Sequence, residues 1–289
     1  MWIVYSLLTG FLIATSACIV KIAMRRNDEY VVGWMRMVFA LPFFLVLLLW
    51  VKKPQLDYVF YKTVLIIIPF EITAYILALK AVKISPLSST MPFLAISPAL
   101  AIVSSSIILQ EKLSGVGLAG ILLVVIGGYT LNIEAIRIGF LGPIKAILKE
   151  KGAKYMIIAA SIFSLTSVLG KQAINHSSPV FFAMVYFPIV LLFFTPIIFM
   201  RYKKGIFKIN SFKKNYYVFL LLGGIFVLIS LFHCLAISMT NVAYMIAAKR
   251  SSLLFAVIYG AVIFKEKNIR ERLFGTSIMI LGIILLSVA

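Results

Sequence analysis

Residues Leu77–Leu113 read LALKAVKISPLSSTMPFLAISPALAIVSSSIILQEKL, and a second version of this stretch, HCLAISMTNVAYMIAAKRSSLLFAVIYGAVIFKEKN, runs from His233 to Asn268. A shift of 155 residues carries Glu111 onto Glu266 and aligns the two stretches without a gap. The same shift superposes five further identical pairs: Ala81 and Ala236, Ser97 and Ser252, Ala101 and Ala256, Gly120 and Gly275, Gly127 and Gly282. An internal repeat of this length predicts a fold built from two similar halves.

The composition predicts that this chain is solvated by lipid. It has 289 residues, of which 63% are hydrophobic and only 13% are charged, whereas soluble domains are about 45–50% apolar. The net charge of +19 comes from basic residues in short runs between apolar segments. This pattern is typical of topology signals facing lipid headgroups, and it disfavours a nucleic-acid partner. The two cysteines, Cys18 and Cys234, lie in apolar stretches, so we interpret them as small apolar fillers.

The chain contains ten apolar segments near the length of about 20 residues that a membrane-spanning helix needs. The first apolar run begins at Trp2 and lacks the features of a cleaved signal peptide, so we interpret it as a span. The sequence therefore predicts an all-α integral membrane protein with ten transmembrane helices. The predicted spans are 2–24, 31–51, 62–82, 88–109, 115–133, 154–174, 180–200, 215–237, 242–264 and 271–288.

A break between the fifth and sixth predicted spans divides the chain into two five-helix repeats. The repeats cover residues 1–133 and 154–289, and the linker 134–153 between them is charged and contains Gly139, Gly142 and Pro143. Because each repeat has an odd number of spans, the second enters the membrane from the opposite side, which predicts inverted repeats. Inverted repeats are a common plan of secondary transporters, whose substrate site lies between the two halves near the membrane midplane.

The distribution of basic residues gives a predicted orientation. Nineteen of the 28 Lys and Arg residues lie in the loops 1–2, 3–4, 5–6, 7–8 and 9–10, and four lie in the other loops. The positive-inside rule then places the nineteen in the cytoplasm and both termini outside. Most of this asymmetry comes from the second half of the chain.

The repeated stretch resembles the EamA family of the drug/metabolite transporter superfamily. The features that carry the resemblance are Ala78-Leu79-Lys80, Pro98, Glu111-Lys112 and the glycines at 120 and 127, with Lys21 and Arg36 earlier in the chain. The second copy has Leu253 where Pro98 stands. The resemblance covers nearly the whole chain, and it implies a metabolite transporter without a cofactor. It also implies cytoplasmic termini, opposite to the charge count.

Glu71 is the one acidic residue, of nine, that lies well inside a predicted span. A charge within the membrane is costly, about 2.5–3.5 kcal/mol on insertion scales, and therefore needs a reason. We predict that Glu71 binds either protons or substrate. The alternative is a permanent ion pair with a lysine of another helix.

Five basic residues are also embedded in predicted spans. Lys21 and Lys171 lie near the ends of the first helices of the two halves, where they either face a cavity between the repeats or extend to the interface. Arg36 lies about one turn into its helix, and we predict that it anchors at headgroup depth. Lys249 and Arg250 lie about two turns inside the ninth span, and adjacent helix positions diverge by about 100°. We therefore predict that only one of these two faces the cavity.

The remaining candidates for substrate binding or coupling are neutral side chains. His233 lies within the eighth span with no partner at metal-ligand spacing, so we predict no metal site. It is either a polar contact in the cavity or a packing histidine. Tyr75, Ser97 and Tyr244 are weaker candidates, because such residues more often make helix contacts.

Together these patterns predict a secondary transporter, an exporter of a small organic metabolite such as an amino acid. It would work by alternating access between the inverted repeats, with protons as the candidate coupling ion. The alternative is a passive facilitator or a channel for small solutes. No nucleophile–base arrangement, metal cluster or phosphate loop is evident in the sequence, which disfavours an enzyme. The predicted location is the cell membrane, the predicted partners are a small-molecule substrate and the lipid bilayer, and both a monomer and a homodimer are compatible with the sequence.

Overall fold

The computed structural model of the chain describes residues 1–25, 27–86, 90–131, 150–205, 216–265 and 269–289, with side chains in the last range from residue 274 onward. Most of the predicted linker 134–153 lies outside these residues, as do Glu134, Glu266 and Lys267. No strand occurs in the described ranges. The helices are α1 (Trp2–Ala23), α2 (Glu29–Leu48), α3 (Tyr58–Ile84), α4 (Ser97–Ile108), α5 (Gly115–Thr130), α6 (Lys151–Asn175), α7 (Pro179–Lys203), α8 (Tyr216–Ser238), α9 (Val242–Lys249), α10 (Ser252–Val262) and α11 (Ile269–Ser287), with a 3₁₀ segment at Met91–Ile96 before α4.

Eight of the helical segments in the described ranges are long and apolar enough to cross a membrane. They are α1, α2, α3, Met91–Ile108, α6, α7, α8 and Val242–Val262, and two shorter apolar helices, Gly115–Thr130 and Phe274–Ser287, follow the two broken segments. The protein is therefore a multi-pass membrane protein. Large apolar side chains such as Leu49, Leu192 and Val262 are exposed on its exterior, as lipid-facing residues must be.

Side-chain caps fix several helix starts. The Asp28 carboxylate accepts hydrogen bonds from the amides of Tyr30 and Val31 at the start of α2. Asp57 accepts one from Phe60 at the start of α3, and Ser114 accepts one from Gly117 at the start of α5. Each cap satisfies amide groups that the first helical turn leaves without a partner.

The two halves repeat the same local structure. The 155-residue shift carries Gln110, with φ of 54°, onto Lys265, with φ of 52°. Both residues therefore adopt the left-handed conformation that non-glycine residues seldom occupy. The same shift carries Ser97, where α4 begins, onto Ser252, where α10 begins. Both fourth spans are thus broken at equivalent positions, whereas the sequence predicted two continuous helices, 88–109 and 242–264.

Equivalent helices of the two halves also make equivalent contacts with the other half. The first helix of each half packs on the third helix of the other, and the second, fourth and fifth helices pack on their counterparts. In the α5–α11 contact, a Cβ added to Gly120 would lie 2.9 Å from the Gly282 carbonyl oxygen, and one added to Gly127 would lie 2.6 Å from that of Gly275. These glycines therefore allow the two helices to approach closely. Because the order of contacts reverses along the two helices, α5 and α11 are antiparallel.

Ion pairs connect the helix ends at two separate levels of the molecule. We call the first level the Asp28 end, where Asp28 contacts Arg201 at 2.6 Å and Glu29 contacts Lys83 at 2.6 Å. We call the second level the Asp57 end, since Asp57 there contacts His176 at 2.6 Å. Helix α3 begins at the Asp57 end and finishes at the Asp28 end. The Asp28 end therefore includes the α1–α2 turn and the last turns of α3 and α7, and the Asp57 end includes the α2–α3 and α6–α7 turns.

Candidate functional site

A cavity of about 260 Å³ lies between the two halves. Its wall is formed by α1, α2, α3, α6, α7 and α8 and by the residues next to the breaks in the two interrupted helices. Most of the wall is apolar or aromatic, as in typical small-molecule sites. The titratable side chains that line it come from both halves: Arg36, Glu71, Tyr75, Tyr186, His233, Cys234, Lys249 and Arg250.

Glu71 lies midway along α3, as predicted, and reaches the cavity. The Thr166 hydroxyl and, electrostatically, the Lys249 ammonium both favour the charged form of its carboxylate. The Glu71 carboxylate also interacts electrostatically with the Tyr186 hydroxyl. The buried oxygen of this hydroxyl has no hydrogen-bond partner among the described residues. The carboxylate and Lys249 belong to different halves, so the charged centre of the cavity exists only when both halves are folded together.

Lys249 and Arg250 both line the cavity, so the prediction that only one of them faces it is wrong. The reason is the break between α9 and α10. Lys249 is the last residue of α9, Arg250 is its C-cap, and α10 begins at Ser252. The 100° divergence of adjacent positions holds only inside a continuous helix. Broken helices are common at transporter binding sites, where the freed backbone groups line a cavity.

The two cations have different partners. Lys249 Nζ lies 3.2 Å from His233 Nδ1, which places the histidine in the cavity beside a charge. Arg250 is only 5% exposed and donates from Nε and Nη2 to Ser97 Oγ, at 3.0 Å and 2.5 Å. Ser97 is not among the described residues that line the cavity. Its hydrogen bonds to Arg250 join the broken helix of the first half to the broken helix of the second. This hydroxyl is neutral, and no carboxylate of the described ranges forms an ion pair with Arg250.

Arg36 does not anchor at headgroup depth, contrary to the prediction. Its guanidinium lies between two aromatic rings of the cavity wall, 5.0 Å from the centre of Tyr75 and 4.4 Å from that of Phe226. Nη1 donates to Ser16 Oγ at 3.2 Å, and the Tyr75 hydroxyl donates to the Gly33 carbonyl at 3.0 Å. The prediction failed because depth was judged from the distance to the helix start alone. The packing of α2 against α8 turns this side chain inward.

The other predicted lysines and Tyr244 lie outside the cavity wall. Lys21 donates to the carbonyl oxygens of Val82 and Ser85, after the last turn of α3. Lys171 donates to the Thr240 carbonyl at 2.7 Å. Since the 155-residue shift carries Ser85 onto Thr240, each lysine holds the end of the third helix in its own half.

The turn between α4 and α5 is tied to the second half at the Asp57 end. Glu111 accepts a hydrogen bond from Lys171 Nζ at 2.5 Å and another from the Val242 amide at 2.9 Å. The Tyr244 hydroxyl accepts one from the Ser114 amide at 2.9 Å. An ion pair and two hydrogen bonds from backbone amides therefore hold this turn against the second half.

Comparison with known proteins identifies the family. The sequence matches the profile of the EamA-like transporter family over residues 1–133 and again over 150–288. The chain belongs to the EamA-like transporter family. The predicted family resemblance is thus confirmed, and EamA-like proteins are membrane transporters rather than enzymes. The match falls on both halves, consistent with the internal repeat.

The EamA-like fold is also found among solved structures. One of them, described only as a crystal structure of a protein, has a TM-score of 0.70 at 12% identity and covers 98% of each chain. At this identity the likeness concerns the fold alone. No curated protein sequence matches this chain.

Sequence reasoning missed three parts of this site. Tyr186 and Thr166 were not singled out, because a lone hydroxyl in an apolar span carries little signal. Arg36 was noticed and assigned to the interface. The polar run from Lys249 to Ser252 within an apolar segment was the available signal for a helix break.

Proposed function

We propose that this chain is a secondary transporter in the cell membrane that exports a small organic metabolite such as an amino acid. The observation that carries the proposal is the buried cavity in which Arg36 and Glu71 of the first half meet Lys249 and Arg250 of the second. Charges buried at membrane depth are expensive and mark substrate or ion pathways. The cavity is built from one chain, so a monomer and a homodimer are both compatible with the proposal.

The proposed topology is ten spans in two inverted five-helix repeats. The antiparallel packing of α5 and α11 supports it, because these are the fifth helices of the two halves. The two levels of ion pairs support it as well. Turns α1–α2 and α2–α3 lie at opposite ends, as successive spans require. The proposed cytoplasmic side is the Asp28 end, where Arg25, Lys83 and Arg201 lie.

The proposed mechanism is alternating access around the cavity. The two halves would rock about their shared interface and expose the charged centre to each side in turn. The described pairs at the two ends, Glu111–Lys171 at one and Asp28–Arg201 at the other, are placed to open alternately. A rigid pore would not need such pairs at both ends.

The charge of the cavity favours a substrate with a negative group. Three cations line the wall against one carboxylate in the described ranges. An amino acid fits this arrangement, since its carboxylate would pair with one of the cations and its ammonium with Glu71. Glu71 is also the proposed proton-coupling residue, because it is the one carboxylate in the described cavity wall.

Uptake into proteoliposomes tests the proposal. A pooled mixture of amino acids and other metabolites is offered to the wild-type protein, to Lys249→Gln and to the control Lys112→Gln, which loses an exposed charge outside the cavity. We expect the wild type and Lys112→Gln to transport the same compounds, and Lys249→Gln to lose most of this activity. If the wild type transports none of the compounds, the transporter proposal loses its support. If transport is equal in all three proteins, the cavity is not the path.

A further inference from the structure

We propose that Arg36 forms an anion-binding site of its own in the cavity, separate from Lys249. In this proposal Arg36 binds the carboxylate of the substrate. This inference rests on the proposed transport function and assigns the substrate class to one side chain. We call Arg36 with Ser16, Tyr75 and Phe226 the Arg36 site. We call Lys249 with His233 and Arg250 the Lys249 site.

The hydrogen-bonding capacity of Arg36 is largely unused. A guanidinium has five N–H donors, and the described residues offer it two hydroxyl acceptors, those of Ser16 and Tyr75. The Nε group is buried and has no acceptor among the described residues. A buried donor without an acceptor destabilises the protein. A carboxylate that enters the cavity could accept from Nε and a neighbouring Nη group together, in the fork geometry that arginine favours.

The charge of Arg36 is also uncompensated by protein carboxylates. Glu71 interacts with Lys249, and no carboxylate of the described ranges lies within ion-pair distance of Arg36. The rings of Tyr75 and Phe226 hold the guanidinium by cation–π contacts. Such contacts stabilise a cation in apolar surroundings without neutralising it. The protein thus holds a positive charge in place and leaves its anionic partner to be supplied from outside.

The two sites contact α8 at different levels. Phe226, which contacts Arg36, and His233, which contacts Lys249, lie seven residues apart on α8. Seven residues make about two turns, so both residues share one face and are separated by about 10 Å along the axis. Phe187 lies beside the Arg36 site, 5.2 Å from Phe226 between ring centres, and most of the cavity wall is apolar or aromatic. A substrate with a carboxylate at the Arg36 site would therefore place an apolar body along this wall.

Binding of a matched pair of probes tests the inference. Benzoate and benzamide have the same shape, and only benzoate carries a carboxylate. The affinity of each is measured by thermal shift of the purified full-length protein in detergent, for the wild type, Arg36→Met, Arg36→Lys, Lys249→Gln and the control Lys112→Gln. Melting without a probe and a monodisperse elution profile identify the variants that fold.

We expect benzoate to bind the wild type at least tenfold more tightly than benzamide does. Arg36→Met should weaken benzoate binding roughly tenfold or more, since charge-assisted hydrogen bonds are lost. Arg36→Lys, which keeps the charge without the fork, should show an intermediate loss. Lys112→Gln should keep benzoate binding within about threefold of the wild type, and Lys249→Gln should weaken it less than Arg36→Met does.

The inference is overturned if the wild type does not distinguish the two probes, or if Lys249→Gln loses benzoate while folded Arg36 variants keep it. If Arg36→Met does not fold, Arg36→Lys decides the question by the same comparison. Failure of the transport proposal would look different. The uptake screen would then be negative for the wild type, whatever the probes show at Arg36.

Discussion

The ion pair between Glu111 and Lys171 should be energetically much stronger than the pair between Glu29 and Lys83, although the two have nearly the same length. The N–O distances are 2.5 Å and 2.6 Å. The side chains of Lys171 and Glu111 are 14% and 7% exposed, whereas those of Lys83 and Glu29 are 36% and 15% exposed. The difference in solvent screening, rather than distance, then decides the interaction energy.

The difference in coupling energy depends on how costly it is to leave one charge of each pair without its partner. Breaking a buried pair typically costs about 3–5 kcal/mol, since the remaining charge has no partner. Exposed pairs typically contribute about 0.2–1 kcal/mol. We therefore expect a coupling energy of about 2–3 kcal/mol for Glu111–Lys171 and below about 1 kcal/mol for Glu29–Lys83. Glu111→Gln retains a carbonyl that can accept from the Val242 amide, so it isolates the charge.

Two double-mutant cycles measure these energies. The variants are Glu111→Gln, Lys171→Met and their combination, and Glu29→Gln, Lys83→Met and their combination. The free energy of unfolding is measured in mixed micelles by titration with a denaturing detergent, followed by tryptophan fluorescence. Equal coupling energies, or a larger one for Glu29–Lys83, would refute the argument that burial sets the strength of these pairs.

Three further predictions concern packing, titration and the broken helices. Gly127→Ala should destabilise the protein by about 1–3 kcal/mol through overpacking, because its new Cβ would lie 2.6 Å from a backbone oxygen of α11. The control Gly224→Ala, whose Cβ would meet no atom within 4 Å, should be neutral or stabilising in the same unfolding assay. Hydrogen bonding to the Phe60 amide, and then contact with His176, holds the pKa of Asp57 below its ordinary value. Its contribution to stability is therefore complete above the unfolded-state pKa and is lost as pH falls through the lowered one, so the melting temperature of Asp57→Asn should depend less on acidic pH than that of the wild type. Ser97→Ala should cost about 1–3 kcal/mol, because it leaves a buried guanidinium without its acceptor; unchanged stability would contradict the role assigned to this serine.

The helical architecture could be read from the sequence because it depends on patterns of many residues. Ten apolar segments and a 155-residue shift define where the helices lie and which of them are equivalent. The glycine positions of the fifth helices also repeat under this shift, so their role in close packing was predictable. These features depend on composition and spacing, which do not require knowledge of side-chain direction.

The site was predicted less completely because it depends on directions that the sequence does not specify. Glu71 was found, since a lone carboxylate in an apolar span has few explanations. Arg36 was placed at the interface because depth was judged along one helix, whereas its position depends on how α2 packs against α8. Only one of Lys249 and Arg250 was expected to face the cavity, and the helix break places both of them at its wall. Lys21 and Lys171 were equivalent, as predicted, but they hold helix ends outside the cavity wall.

Gradient-driven uptake in proteoliposomes, compared between the wild type and Glu71→Gln, tests the central claim most directly. The compound is one that the wild type transports in the pooled screen, and it is measured by mass spectrometry with and without an imposed pH gradient. We predict that the wild type accumulates the compound only with the gradient, and that Glu71→Gln loses accumulation but retains exchange of internal for external compound. If both proteins equilibrate the compound equally and ignore the gradient, the protein is a passive facilitator and Glu71 is structural.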